Sequence, residues 1–235
     1  MVAPASYTMP LSIRESIVSN LLVEDRWKMM LEGLGVTVQV SLLSILFATL
    51  AGALICLLRM SRNRWVRGTA KLYIELMRSL PLLLLLLVLF YLVLASSGLN
   101  EIQIAVVCFS MYFGAYFSEI FRSGIEGVDK GQWEAGAALG MSRVQVLRRV
   151  VLPQALLRVL PVYKNQVVTL IKGTSIIGYV AIMDITKTSD IIRSRTFDAF
   201  FPLLLTALIY LVLSGLAGLV LDAIGKRLSP KRRAL

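Results

Sequence analysis

The sequence has no histidine and only two cysteines in its 235 residues. Without an imidazole, a histidine-based catalytic triad and a histidine-bound zinc site are both excluded. Cys56 and Cys108 lie inside apolar stretches without metal-ligand spacing, so we interpret them as small hydrophobic residues. Acidic residues are also few, 14 against 25 lysines and arginines, and they are scattered along the chain. That scatter argues against a membrane-bound enzyme, which would need clustered catalytic side chains.

Apolar residues, in contrast, are in excess. They make up 57% of the chain, with a mean hydropathy of +0.76, whereas soluble domains contain about 45–50%. Five apolar stretches run from about Met30 to Leu58, Leu72 to Ser96, Ile102 to Ile120, Ala155 to Met183 and Phe200 to Ile224. Each is long enough for a membrane-crossing helix of about 20 residues, and the leucine-rich runs lack the alternation of barrel strands. The sequence therefore predicts an all-α membrane protein with about five transmembrane helices.

Basic residues divide unevenly between the two sides that five alternating spans define. Seventeen lie on one side, in the segment after the first span, in the segment after the third span or in the C-terminal tail. Six lie on the other side, and two lie inside the fourth stretch. Because Lys and Arg collect on cytoplasmic flanks, we predict an external N-terminus and a cytoplasmic C-terminus. Their dispersal argues against nucleic-acid binding. We divide the chain into a periplasmic or interfacial segment 1–28, a transmembrane domain 29–225 in contact with membrane lipid, and a basic cytoplasmic tail 226–235.

The N-terminal segment has apolar residues at roughly helical spacing: Leu11, Ile13, Ile17, Val18, Leu21 and Leu22. Such spacing predicts an amphipathic helix that lies at the outer membrane interface. An ordinary lead-in that packs against the first span explains the same pattern. Both interpretations remain open at this point. The segment lacks the short apolar core of a cleaved signal peptide, so we do not expect one.

The longest loop on the predicted cytoplasmic side, residues 121–154, has the pattern of two short helices. Small residues around Ala135 and Ala138 form the first helix, and Gly140 can end it in the left-handed conformation. Ser142 can cap a second helix through Val150, and we expect Pro153 to break that helix before the fourth span. Small side chains let another surface approach closely. The loop is therefore interpreted as a rigid docking element.

This loop resembles the EAA loop of permease subunits of bacterial ABC importers. The family pattern is Glu-Ala-Ala, three residues, Gly, nine residues and Ile-x-Leu-Pro. Glu134, Ala135 and Gly136 match its start, Gly140 its glycine, and Val150 to Pro153 its end. Two positions depart from the pattern, with glycine for the second alanine and valine for isoleucine. The glycine is expected to loosen the first helix by roughly 1 kcal/mol relative to alanine.

The resemblance extends over most of the chain and is closest to the polar amino-acid branch of these permeases, in particular the glutamate/aspartate type. It is carried by Arg78–Leu83, Ser118–Ile125, Gly131–Ala135, Leu152–Ala155 and Lys172–Ile176. It implies a type I ABC importer permease fold in the bacterial inner membrane. It also implies three partners: a second permease chain, identical or homologous, an ABC ATPase dimer, and a periplasmic or surface substrate-binding protein. The implied ATPase-coupling residues are Glu134, Ala135, Gly136, Ala138, Gly140, Arg143, Leu152 and Pro153.

The chain has no Gly-x-x-x-x-Gly-Lys-Ser/Thr motif, so it cannot hydrolyse ATP alone. We expect no enzyme activity and no cofactor in this chain, with ATP and Mg²⁺ held by the partner ATPase. The alternative is a secondary amino-acid transporter or channel that is independent of ATP. Such folds usually carry internal repeats, and none is evident here.

Polar groups inside the apolar stretches are the candidates for a substrate path because they are costly in a membrane. The candidates are Arg78, Glu119, Asn165, Thr169, Lys172, Thr174 and Ser175. Asn165, Thr169 and Lys172 are spaced to share one helical face, where the lysine can hold a carboxylate. Gly173 with the two residues after it can break the helix. Alternatively, Lys172 pairs with an acidic residue of another span, such as Glu119.

Two ion pairs within helices, one helix kink and one close helix contact are also expected. Glu119 and Arg122 can pair because they are three residues apart on a helix, and Glu75 can pair with Arg78 for the same reason. Pro81 removes a backbone donor and is expected to kink the second span. Gly114 and Ala115 are small enough for close contact with another helix.

Overall fold

The structure is a computed structural model that describes residues 13–228, a range in which every regular element is helical. The α-helices are α1 Ile13–Ile17, α2 Arg26–Arg59, α3 Arg64–Ser79, α4 Leu82–Val88, α5 Glu101–Glu126, α6 Lys130–Ala138, α7 Arg143–Val146, α8 Leu152–Gly173, α9 Ile185–Thr196 and α10 Phe200–Leu228. Single π-helical turns follow α1, α4 and α7, at Val18–Leu22, Leu89–Val93 and Leu147–Val151. Tighter 3₁₀ turns lie at Val23–Asp25 and Thr174–Val180. The predicted all-α class is confirmed.

Side-chain caps at the helix starts explain several of these boundaries. The Trp65 N–H donates to Asn63 Oδ1 at 2.9 Å and starts α3. Asn100 and Gln103 cap α5 reciprocally, each accepting the backbone N–H of the other at 2.9 and 3.0 Å. Because the first turn of a helix leaves N–H groups without partners, such side chains mark where the helix can begin.

Within residues 13–228, three helical segments are long and apolar enough to cross a membrane: Arg14–Arg59, which contains α2, and the helices α5 and α10. Two bent pairs qualify when each pair is taken as one span. These are α3 with Leu82–Val93, bent by 106°, and Arg143–Val180 with α9, bent by 54°. The count of about five spans therefore agrees with the prediction. Residues 1–12 and 229–235, including Leu11 and most of the basic tail, lie outside the described residues.

The second span is not the single helix that its apolar stretch, about Leu72 to Ser96, predicts. α3 ends at Ser79, Leu80 has an extended backbone with a ψ of 138°, and α4 begins at Leu82. Pro81 has no N–H to donate, and its ring disfavours helical backbone at the preceding residue. The expected kink is thus a complete break.

The fourth span also differs from the prediction, at both ends. Pro153 does not break the chain's helix, because α7 continues through the π turn Leu147–Val151 into α8, where the proline occupies the first turn. Because the helix is continuous here, the proline removes one backbone bond, and the π turn that ends two residues before it marks the local adjustment. At the other end, the α-helix stops at Gly173 as expected, but the chain continues as a 3₁₀ helix to Val180.

α5 forms the centre of the packed core. Its residues Phe109, Phe113 and Phe117 are almost fully buried. α2 approaches α5 closely where two glycines face each other, since a Cβ on Gly52 would lie 2.7 Å from Phe117 Cβ and one on Gly114 3.2 Å from Ala51 Cβ. The close contact expected at Gly114 is therefore confirmed, with α2 as its partner. α10 packs only at the edge, and most of its apolar surface stays uncovered by the chain.

Buried polar groups hold the start of α9. The Asp184 carboxylate is buried and accepts the Lys187 N–H at 2.8 Å, which caps the helix. The Tyr210 hydroxyl lies 3.4 Å from the other carboxylate oxygen and 3.1 Å from the Thr186 hydroxyl. Thr37 of α2 accepts the Ile185 N–H at 3.1 Å. Three helices are thus tied together at this end of the molecule.

Candidate functional site

The loop between α5 and α8 folds into a rigid elbow, defined here as Asp129–Pro153. α6 ends in a Schellman arrangement, in which Gly140 has a φ of +75° and donates to Ala137 O at 2.9 Å, while the Met141 N–H donates to Gly136 O at 3.1 Å. α7 starts in a capping box. The Ser142 N–H donates to Gln145 Oε1 at 2.7 Å, and the Gln145 N–H reaches Ser142 Oγ at 3.4 Å. The predicted helix stop and cap are both confirmed.

The two arms of the elbow pack together at Gly136. A Cβ added there would lie 2.7 Å from Cγ2 of Val146, a side chain that is only 2% exposed. The sequence predicts that this glycine only loosens α6; the structure shows that its missing side chain makes room for Val146. The inner side of the elbow lies in an apolar cluster with Cys56 of α2, Ile125 of α5 and Ala155 of α8. The elbow is therefore packed against several spans.

The outer side of the elbow is uncovered. Exposed members of the predicted coupling set are Glu134, Ala135, Ala138, Gly140, Arg143 and Pro153, whereas Gly136 is buried and Leu152 half-buried. Leu139, which the sequence reasoning left out of the coupling set, is 80% exposed beside the turn. Leu139 follows exposed Ala138 and extends the apolar part of the uncovered side. Its position immediately before a helix-ending glycine is the signal that could have identified it.

A second candidate region is a polar face on α8. Asn165, Thr169 and Lys172 are all exposed and lie on one line along the helix, as their spacing predicts. The Thr169 hydroxyl donates to Asn165 O at 2.9 Å. Among residues 13–228, no carboxylate lies within ion-pair distance of the Lys172 ammonium. The face thus offers a cation, an amide and a hydroxyl to whatever lies beside it.

The remaining predicted path residues lie elsewhere. Thr174 is buried, and its hydroxyl donates to Ile171 O at 2.7 Å, so it does not join the exposed face. Ser175 donates to Lys172 O at 2.9 Å and lies next to the face. The Arg78 guanidinium stacks 5.3 Å from the centroid of the Tyr116 ring.

The ion pairs correct two expectations. Glu119 pairs with Arg122 on its own helix, with Oε2 2.6 Å from Nη2, and Arg122 also contacts Glu126. The expected Glu119–Arg122 pair is confirmed, and the alternative in which Glu119 neutralises Lys172 is wrong. Glu75 pairs with Lys71 at 3.5 Å instead of with Arg78. Arg78 prefers the aromatic face because a planar guanidinium can stack on a ring.

An ion pair between α8 and α10 was not anticipated from the sequence. Lys164 Nζ of α8 lies 2.8 and 3.0 Å from the two carboxylate oxygens of Asp222 on α10. Near this pair, Gly225 lets α10 approach Leu160 of α8. The sequence does not predict this pair, because the two partners are 58 residues apart in the chain.

Comparison with known proteins shows which protein family the chain belongs to. A family model described as "Binding-protein-dependent transport system inner membrane component" matches residues 25–233. The chain belongs to this family. The permease is 34% identical over 214 residues to the "Probable amino-acid ABC transporter permease protein YckA" of Bacillus subtilis, covering 91% of this chain and 95% of that protein. It is therefore a permease subunit of an ABC amino-acid importer, and the matched family is one of inner membrane components.

The names of other relatives state different substrates. The L-cystine transport system permease protein TcyB of Bacillus subtilis is 34% identical and covers 93% of this chain and 94% of its own length. The glutamate/aspartate import permease protein GltK of Escherichia coli is 32% identical and covers 84% and 92%. Among solved structures, a crystal structure of an amino acid ABC transporter with histidines matches with a TM-score of 0.77 at 33% identity, over 85% of this permease and 94% of that chain.

Proposed function

We propose that this permease subunit carries a polar L-amino acid, with glutamate or aspartate as the preferred substrates, driven by a separate ATPase subunit that binds ATP and Mg²⁺. The complex would contain a second permease chain and two ATPase subunits. A substrate-binding protein would deliver the amino acid on the side of the N-terminus. The observation that carries the proposal is the elbow Asp129–Pro153, a rigid and exposed element joined directly to a span.

The elbow is suited to receive force from another protein. Its turn is held by backbone bonds at Gly140 and by the capping box at Ser142, so it resists local deformation. Exposed Ala135, Ala138 and Leu139 form a small apolar surface, with Glu134 and Arg143 available for polar contacts. Since the helix continues without a gap from α7 into α8, a displacement of the elbow would tilt the span that carries the polar face.

That polar face supports the substrate part of the proposal. A lysine inside a span that has no acidic partner is expensive unless something on its exposed side solvates it. In a pair of permease chains, α8 would line the cavity between them, where Lys172 would hold the substrate carboxylate. Asn165 and Thr169 would add hydrogen bonds. A substrate with a second carboxylate would gain most from this basic surface, which favours glutamate and aspartate.

Reconstitution of the complex in lipid nanodiscs, with its ATPase and substrate-binding protein, tests the proposal. We expect glutamate and aspartate to stimulate ATP hydrolysis more than cystine or arginine. Glu134→Lys and Gly140→Pro should each abolish stimulation and import, because the first reverses a contact charge and the second disrupts the turn. Glu32→Lys makes the same charge change at an exposed position of α2 and should leave import intact. Normal import by both elbow variants would show that the docking assignment is wrong, and stimulation by basic amino acids alone would overturn the acidic preference.

A further inference from the structure

The segment that precedes α2, Ile13–Asp25, is here called the N-terminal strap. It comprises α1, one π turn and one 3₁₀ turn, and it is separated from α2 by Glu24 and Asp25, whose φ angles of 56° and 54° are left-handed. The sequence leaves two interpretations of this segment open, an interfacial helix and a lead-in packed against the first span. The side-chain positions show features of both interpretations.

Some polar groups of the strap face the protein, whereas its charged residues Arg14, Glu15, Glu24 and Asp25 are exposed. Asn20 is 0% exposed, and its amide donates to Asp198 Oδ2 at 2.7 Å and to Ser16 O at 2.9 Å. Arg26, also buried, donates to Ser19 O at 2.7 Å. Asp198 in turn accepts the Phe200 N–H at 3.0 Å in the turn between α9 and α10. Polar bonds thus clip the strap to the start of the last span.

Several apolar side chains of the strap face outward. Ile17, Val18 and Leu22 are 39%, 42% and 58% exposed, respectively. Leu21 packs against the apolar cluster of Met30, Ile185 and Ile192, so the exposed side of the strap carries both apolar and charged residues. Such a mixed side fits the membrane interface, because apolar side chains can enter the hydrocarbon there while charged groups stay among headgroups and water.

The exposed side of the strap continues into the exposed apolar surface of α2. Trp27 and Leu31 of α2 are exposed next along the chain, and Leu42 and Leu46 extend the exposed apolar surface further down the same span. The Lys28 ammonium lies 5.6 Å from the centroid of the Trp27 ring. Tryptophan and lysine together at the start of a span are typical of the membrane–water boundary. This places the strap at the depth where headgroups meet acyl chains.

We propose that the N-terminal strap is an interfacial anchor, whose exposed apolar side chains bind the acyl chains of phospholipids in the leaflet on the N-terminal side of the membrane. Asn20 and Arg26 hold the strap to the helix bundle through polar bonds. The strap then fixes the depth at which the α9–α10 turn lies in the membrane. The partner is a lipid surface, and neither a second copy of the chain nor water covers this side.

Spin labels on single introduced cysteines can test this placement in nanodiscs of phosphatidylethanolamine and phosphatidylglycerol. Cys56 and Cys108 are buried, so the unmutated permease gives the background labelling. Val18→Cys and Leu22→Cys report the strap, Leu46→Cys serves as the lipid-exposed control, and Ser96→Cys serves as the exposed loop control. For each label, collision rates with oxygen, which concentrates in hydrocarbon, and with a water-soluble nickel chelate are measured.

We expect both strap labels to show an oxygen-to-nickel collision ratio several-fold above that of Ser96→Cys and close to that of Leu46→Cys. Asn20→Ala in the Leu22→Cys background should increase label mobility, because the bond to Asp198 is lost. A nickel accessibility equal to that of Ser96→Cys would place the strap in water and overturn the proposal. Exclusion of both reagents would also overturn it, since another protein surface would then cover the strap.

Discussion

Replacing Gly136 by alanine separates two explanations of why the elbow has a glycine there. If the residue matters only for helix propensity, alanine should stabilise α6 by about 1 kcal/mol. The structure predicts the opposite sign. The added Cβ would lie 2.7 Å from Val146 Cγ2 and 3.0 Å from Cγ1, and a valine in a helix has one strongly preferred rotamer, so it cannot turn away.

Overpacking of a buried site costs roughly 1–3 kcal/mol. After subtracting the propensity gain, we expect Gly136→Ala to destabilise the elbow by about 1 kcal/mol, or roughly a fivefold faster hydrogen exchange of the α6 amides. Val146→Ala should remove the clash, so the double variant should be more protected than the sum of the two single changes predicts. Hydrogen–deuterium exchange with mass spectrometry of peptides covering 130–150, in nanodiscs, gives these values. Slower exchange in Gly136→Ala, together with additive effects in the double variant, would refute the packing argument.

Two further predictions concern the spans. Lys172→Gln should raise the substrate concentration that half-stimulates ATP hydrolysis by about tenfold or more, since a hydrogen bond to a charged group contributes ~1.5–3 kcal/mol. Lys187→Gln on α9 is the matched control and should leave that concentration unchanged. If Lys172→Gln also leaves it unchanged, Lys172 is not part of the substrate path. Gly124→Ala should lower the thermal stability of the purified permease in detergent, because its Cβ would collide with Val159 Cγ1 at a cost of roughly 1–3 kcal/mol. Gly215→Ala on α10 is the control, because nothing lies within 4 Å of the added Cβ, and it should leave the melting temperature unchanged or slightly raised. Equal melting temperatures for the two variants would contradict the close approach of α5 and α8.

The elbow shows how far sequence reasoning reaches at the candidate site. The helix stop at Gly140 and the cap at Ser142 were both predictable, because each depends on the backbone preferences and hydrogen bonds of residues that are adjacent in the chain. The role of Gly136 was not, because it depends on which side chain of the following helix packs against it. Leu139 was missed for a related reason, since its apolar character alone does not reveal whether it is covered.

Charged residues in the spans were predicted less well than helices. The ion pair between Glu119 and Arg122 was predictable, because both residues lie on one helix face at a spacing that brings their side chains together. For Glu75, two basic neighbours on α3 satisfy the same rule, and Tyr116 of another helix draws Arg78 away. A local rule names the possible partners of a charge, whereas the competition among them is decided by residues that the fold brings close.

Sequence alone was sufficient to predict that the protein is helical, that it has about five membrane-crossing stretches, and that an elbow with a glycine turn precedes the fourth. Hydropathy, capping and glycine conformation act over one or two helical turns, so they can be evaluated without knowing the fold. The fold was needed to learn which side chains of the strap face inward and which partner Lys164 has. It also showed that Lys172 has no ion-pair partner among the described residues. Those outcomes depend on contacts such as Lys164 with Asp222 and Asn20 with Asp198, which join positions 58 and 178 residues apart, and no local preference specifies contacts over such separations.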